Sequence, residues 1–143
     1  MGTHDVDPAA VTALYELQVQ HAHFVQTLAT QTELNPADLR MLKFLGSQAR
    51  PATAKEVGAY LQMGTGAVTA LLDRLERRQI IERTRNPEDH RSVLVALGPN
   101  GRPVVDGLRR SYESVLRASL GDLDSEALRL FLGRLTQAFA SSE

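Results

Sequence analysis

A mainly helical protein with one small β-hairpin, in the order α-α-α-α-β-β-α-α, is predicted by three features of the sequence. Helix starts are punctuated by capping residues, with Asp7 before Pro8, Asn35 before Pro36, Thr53 three residues before Glu56, and Asp124 ahead of a leucine-rich run. Apolar residues recur at helical spacing over most of the chain. Two six-residue β-prone runs, IIERTR (80–85) and SVLVAL (92–97), break that pattern, and the turn-rich NPEDH plus Arg91 separates them.

Taken in order, DPAAVTALYEL opens a helix expected to run to about Glu33. Its apolar residues Val11, Leu14, Tyr15, Leu17, Val19, Ala22, Phe24, Val25 and Leu28 spread over more than one face. So broad an apolar girth points to burial on two sides, as against a partner subunit. NPADLRMLKFL starts a second helix with Leu39, Leu42 and Leu45 on its inner side. TAKEVGAYL opens a short third helix that buries Val57 and Leu61, and after QMGTG the stretch AVTALLDRLERR places Val68, Leu71, Leu72 and Leu75 at i, i+3, i+4 and i+7. Past the hairpin, helix restarts with Pro99 near its first turn and Val104, Val105, Leu108, Tyr112, Val115 and Leu116 inward. The last helix carries a stripe of Leu128, Phe131, Leu132, Leu135 and Phe139.

Composition narrows the function classes. A chain of 143 residues with 43% hydrophobic and 23% charged residues suits one domain with a real core, or one domain plus a helical extension. The absence of cysteine excludes disulfides, thiolate zinc sites and thiol-oxidation sensing. No apolar run approaches the roughly 18 residues of a membrane span, and MGTHDVDPAA does not read as a signal peptide, so a cytoplasmic location is the expectation. The net charge of −1 is uneven. Residues 50–91 hold eight Lys/Arg against six acids, leaving eight against eleven elsewhere. A mildly basic middle between acidic flanks is compatible with a local nucleic-acid face.

Two short helices joined by a tight turn and followed at once by a hairpin describe a winged helix-turn-helix. The second helix, about 65–78, is narrow enough to enter a DNA major groove; the first, about 54–61, braces it; the hairpin reaches sideways to phosphates or the minor groove. Removing the buried stripe leaves Thr65, Gly66, Thr69, Ala70, Asp73, Arg74 and Arg77 on the outer side. Small residues near the N-terminus let that end enter deeply. The two threonines can hydrogen-bond base edges or phosphates, and Arg74 is the long side chain placed for guanine or the backbone. Modest direct readout supplemented by DNA shape is therefore expected. At the wing, Arg91 is expected in the minor groove with Asp89 orienting its guanidinium through a charge-assisted hydrogen bond. His90 stands beside them, and Arg83 and Arg85, two apart on one strand, share a face toward phosphates.

The stretch AVTALLDRLERRQIIERTRNPEDHRSVLVAL resembles the signature of the MarR family (multiple antibiotic resistance regulators). Its V-T and L-D-R-L-E recognition helix, E-R strand end and D-x-R-S wing are matched by Asp73, Arg74, Leu75, Glu76, Glu82, Arg83, Asp89, Arg91 and Ser92. The flanking helices match in order and length, so the resemblance covers essentially the whole chain. It departs at Gln79, where the family has a glycine after the recognition helix, at Gly64 in place of a serine N-cap, and at LGPNGRP, where Gly98 and Pro99 replace a threonine cap. The resemblance implies an obligate homodimer with a dimerisation helix over 1–35, a winged DNA-binding lobe over 36–98 and C-terminal dimerisation helices over 99–143. Val11, Leu14, Leu128, Phe131, Leu132, Leu135 and Phe139 would serve the dimer. It also implies a pseudo-palindromic double-stranded DNA operator and a small, often phenolic or aromatic, effector held between the dimerisation helices and the lobe. The function expected is a repressor relieved by that ligand.

Other readings carry less. GTGAVT (64–69) lacks the third glycine of a dinucleotide loop and follows a helix rather than a strand, so no cofactor is expected. His4 in the N-terminal tail, His21 and His23 on the first helix and His90 at the wing are scattered, so no metal is expected. Tyr15, Phe24, Phe44 and Tyr112 suit either core or an effector pocket, and Arg50 either a phosphate contact or no role. No nucleophile–base pair or paired carboxylates converge, so no enzyme is expected. The rival from another class is a winged-helix protein-interaction or ligand-binding module with little DNA binding.

Overall fold

The Asp7 carboxylate accepts from the Ala9 amide at 2.9 Å, and with Pro8 in the first turn it starts α1 (Pro8–Thr32). The computed structural model describes residues 5–142; His4 lies outside them. Helix α1 closes at Glu33, which adopts a left-handed φ of 54° and turns its amide back to the Ala29 and Thr30 carbonyls. Of its apolar residues, Leu28 and Ala29 at the C-terminal end are buried, whereas Val11, Tyr15, Leu17 and Val19 are exposed.

Helix α2 (Pro36–Ser47) begins with a reciprocal capping box. Asn35 Oδ1 accepts from the Asp38 amide at 2.9 Å, and Asp38 Oδ2 accepts from the Asn35 amide at 3.0 Å. Leu39, Leu42 and Leu45 are buried as the spacing predicts, and so is Met41. A two-residue strand β1 (Ala52–Thr53) then precedes α3 (Ala54–Leu61), which the Thr53–Glu56 box caps through bonds of 3.1 and 2.7 Å. Helix α4 (Thr65–Arg77) buries Val68, Leu71, Leu72 and Leu75. Strands β2 (Ile81–Arg85) and β3 (Val93–Leu97) pair antiparallel with Arg83 opposite Val95, and Ala52 of β1 pairs with Val95 from the other side, giving the order β1-β3-β2. The fold is therefore the expected mainly helical one with a small sheet. β1 is an addition, because two residues are too few to show a period of two.

Helix α5 (Gly101–Leu120) starts two residues later than Pro99, which lies in the preceding turn. On it Leu108 is buried, Val104, Val105 and Tyr112 are half-buried, and Val115 and Leu116 are exposed. Asp124 caps α6 (Ser125–Ala140) by accepting from the Ala127 amide at 3.3 Å. The chain divides into two compact units, Met1–Asp106 and Gly107–Glu143. The first has a core centred on Leu39, Met41, Leu42, Val57, Leu75, Ile81 and Val95, each at most 1% exposed. In the second, no residue of α6 is buried: Leu128 and Leu135 are half-covered, while Phe131, Leu132 and Phe139 lie open.

One turn joins the recognition helix to the wing. Gln79 takes φ 56°, a left-handed conformation open to glycine without penalty and to a side chain only at a cost. Backbone bonds hold it there. The Gln79 amide donates to the Glu76 carbonyl at 2.8 Å, the Asn100 amide donates to the Gln79 carbonyl at 3.0 Å, and the Gly98 amide donates to the Ile80 carbonyl at 2.9 Å. Glycine is required at 98, where a Cβ would lie 2.5 Å from the Gln79 carbonyl oxygen.

Candidate nucleic-acid interface

The outer side of α4 is small and open. Thr65, Gly66, Thr69 and Ala70 are all exposed, and the Thr69 hydroxyl donates to the Thr65 carbonyl at 2.9 Å. Together with Ala54, Lys55, Gly58, Ala59 and Gln62 of the α3 side, Thr65 and Thr69 line a surface groove of about 600 Å³. Lys55 brings a cation to this groove that sequence reasoning overlooked, because its place opposite Thr65 depends on how α3 and α4 pack.

Three of the expected contacts are corrected by the geometry. Arg74 is turned away from the outer face. Its Nη1 and Nη2 donate at 2.8 and 2.7 Å to the two oxygens of Asp38, whose side chain is fully buried. That bidentate pair raises the Arg74 pKa above its ordinary value and uses the guanidinium edge that would have met guanine. The physical reason is the buried carboxylate: without a cation it would be an uncompensated charge in the core.

Arg83 is also withdrawn from phosphates. It donates to Glu76 at 2.9 Å through Nε and reaches Asp73 at 2.7 Å through Nη2, so it bridges the wing root to two acids of α4. The hydrogen bond to Glu76 raises the Arg83 pKa, and the same bond lowers that of Glu76. Left alone, the two acids would set negative charge beside any DNA on α4. Arg83 offsets half of that charge and holds both acids at its own guanidinium.

At the wing tip Asp89 does not orient the Arg91 guanidinium. Its Oδ1 accepts from the Arg91 backbone amide at 3.0 Å, and its carbonyl accepts from the Ser92 amide at 2.9 Å, so Asp89 shapes the turn instead. Asn86 closes the same turn, donating from Nδ2 to Ser92 Oγ at 2.9 Å. A short acidic side chain in a turn finds the neighbouring amides before it finds a long, solvated guanidinium. His90 and Arg91 remain exposed with Arg85 around one concavity of the wing. Arg77, Arg85 and Arg91 make no ion pair with another described residue. The exposed cations of this face are thus Lys55, Arg77, Arg85 and Arg91.

Arg50 is engaged within the lobe. It binds both oxygens of Glu56, and that hydrogen bond, with the Thr53 amide second, brings the Glu56 carboxyl down to about 2. Phe44 stacks on Tyr60 with ring centroids 4.4 Å apart, pairing α2 with α3. Among the described residues no group of three or more His, Cys, Asp or Glu could hold a metal, and no helix is long and apolar enough to cross a membrane.

Comparison with known proteins identifies the surroundings of this face. The MarR family profile matches residues 32–92, which run from the end of α1 to the wing. The chain is 34% identical, over 78% of its length and 73% of the relative's, to the HTH-type transcriptional regulator YcgE of Bacillus subtilis. Among solved structures, FabT of Streptococcus pneumoniae in complex with DNA has a TM-score of 0.71 at 21% identity, covering 94% of this chain and 96% of that one. NadR in complex with 4-hydroxyphenylacetate has a TM-score of 0.76 at 16% identity, covering 96% and 97%.

Proposed function

The chain belongs to the MarR family of DNA-binding transcriptional regulators, whose members are regulators and not enzymes, and we propose that it acts as a cytoplasmic homodimeric repressor released by a small aromatic or phenolic ligand. The observation that carries the DNA-binding side is the exposed set on α4 and the wing. Thr65, Gly66, Thr69, Ala70 and Arg77 face outward, with Arg85, His90 and Arg91 on the hairpin. Small residues on the helix and unpaired arginines beside it suit close groove entry flanked by phosphate and minor-groove contacts. Lys55 joins them as a phosphate contact.

In the dimer, residues 1–35 and 99–143 associate through Val11, Leu14, Leu128, Phe131, Leu132, Leu135 and Phe139, while residues 36–98 bind DNA. The exposure of Phe131, Leu132 and Phe139 in the single chain supports this, because an apolar helix face of that size seeks cover. Two lobes would then read a pseudo-palindrome with half-sites roughly 34 Å apart, one helical turn. The 4-hydroxyphenylacetate bound by NadR supports a phenolic effector here. Such a ligand acts by favouring a dimer geometry in which the two recognition helices no longer match successive grooves.

Selection from a randomised duplex pool, run with wild type and with Arg91→Ala, tests the reading. Recovery of a pseudo-palindrome is expected, with Arg91→Ala weakening it by about 1–3 kcal/mol and affinity falling steeply with salt. No enrichment at low salt would shift the assignment to a protein-interaction or ligand-binding module.

A further inference from the structure

Arg74 lies in the last turn of α4, and Arg78, four residues on, is the C-cap of that helix. Both reach the same short stretch, the corner at which α1 ends and α2 begins. Arg74 grips the buried Asp38 carboxylate, which also caps α2 by accepting from the Asn35 amide. Arg78 Nη1 donates at 2.8 Å to the carbonyl of Glu33, the left-handed residue that ends α1. That carbonyl lies at a helix end, where backbone oxygens lack an intrahelical partner.

The other side of Arg78 is tied as well. Its carbonyl accepts from Asn100 Nδ2 at 2.9 Å, in the turn that leads into α5. The Asn100 amide holds the next carbonyl, that of Gln79, at 3.0 Å. The same turn is packed against the start of the wing: a Cβ at Gly101 would overlap the Ile80 carbonyl oxygen. One residue at the C-cap of the recognition helix is therefore bonded to the C-cap of α1 and to the turn before α5. None of these bonds involves the face that carries Thr65, Thr69 and Arg77.

We infer that Arg78, with the Arg74–Asp38 pair beside it, is a positioning residue that makes the recognition helix follow the end of α1 and the start of α5, and so sets which half-site spacing a dimer accepts. The inference rests on the dimeric DNA-binding reading above. The physical argument is one of lever arms. The buried pair pins the last turn of α4, and the Arg78 bonds pin its C-cap on two further sides, so this end of the helix cannot turn about the pair without breaking them. A change in the positions of α1 and α5 is then transmitted to α4 as a displacement instead of being absorbed at a loose helix end.

The test compares three duplexes: the one recovered by wild-type selection, the same duplex with two base pairs inserted at its centre, and a single half-site. The insertion moves one half-site by about 7 Å and turns it by roughly 70°. Wild type should prefer the parent duplex strongly over the insertion. Arg78→Met keeps the aliphatic stem and removes the donors; it should cut that preference about fivefold or more, the lower end of the range for coupled sites, with single half-site affinity unchanged. Asp38→Asn, which still caps Asn35 but loosens Arg74, should shift the preference the same way and decides the matter if Arg78→Met does not fold. An unchanged preference in both variants overturns the inference, as does an equal loss on all three duplexes, which would mean general destabilisation. If wild type itself shows no preference for the parent over the insertion, the two-half-site reading has failed, and this inference with it.

Discussion

Leu75 on α4 and Leu132 on α6 are both leucines in the apolar stripe of an amphipathic helix, yet the first is 0% exposed and the second 42%. The winged lobe closes its stripes on itself, with α2, α3, α4 and the sheet all contributing to one core. On α6, by contrast, no described residue is buried. An amphipathic pattern thus states that a face will be buried, not by what. In the lobe the answer is intramolecular and in α6 it is a second chain under the proposed dimer.

The largest expected effect separates the two leucines. Leu75→Ala should cost about 3–5 kcal/mol of lobe stability, whatever the protein concentration. Leu132→Arg should leave the melting of the winged lobe intact and remove the dimer, read by sedimentation at micromolar concentration. A Leu132→Arg protein that remains dimeric would show that α6 is not part of the interface.

A smaller contrast lies within α4, whose two flanks are both held by charge but at different depths. Asp38 is fully buried, whereas Asp73 and Glu76 keep half or somewhat less of their side-chain exposure. Arg74→Leu strands a buried carboxylate and should cost about 3 kcal/mol. Arg83→Leu strands two hydrated acids and should cost less than about 1 kcal/mol in stability, while weakening DNA binding because both acids then face phosphates. Equal stability losses by chemical denaturation would remove the distinction between the flanks.

The smallest effect concerns the caps. Glu56 has its carboxyl pKa depressed to about 2 from an ordinary 4.5, first by the Arg50 hydrogen bond. A depressed carboxylate contributes stability that is present above the ordinary value and lost as pH falls toward the folded one. The Thr53–Glu56 box and the Arg50 pair should therefore survive acidification from 4.5 nearly to 2. The carboxyl carbon shift of Glu56, followed by NMR, should show a midpoint near 2; a midpoint near 4.5 would mean that Arg50 is not its partner in solution.

Much of this was legible from local pattern. The four caps at Asp7, Asn35, Thr53 and Asp124, the buried quartet of α4 and both hairpin strands follow from interactions spanning three or four residues. The left-handed residue at 79 was legible from the glycine expected there. Arg74, Arg83 and Asp89 were not. Each had a correct position on its element but a partner the sequence does not reveal. Arg74 and Asp38 lie 36 residues apart, and a long flexible guanidinium goes to whichever carboxylate the packing brings within reach. Asp38 offered one faint signal, an acid three residues after an asparagine N-cap, which reads as the second half of a capping box.

What the sequence alone determined is the order of the six helices and the two hairpin strands, which faces are apolar, and which chemistry is absent for want of cysteine. These depend on neighbours along the chain, whose distances are set by helical and strand geometry. What only the tertiary structure decided is the employment of the charges. Two of the arginines placed toward DNA hold the recognition helix in position instead, Arg78 at its end ties it to α1 and to the turn before α5, and Arg77, Arg85 and Arg91 are left to face outward. For Arg74 burial is the reason: desolvating the Asp38 carboxylate is costly enough that it draws a guanidinium inward. Arg83 and Arg78 instead meet half-exposed acids and a helix-end carbonyl that packing brings within reach, and both burial and reach are properties of the packed chain.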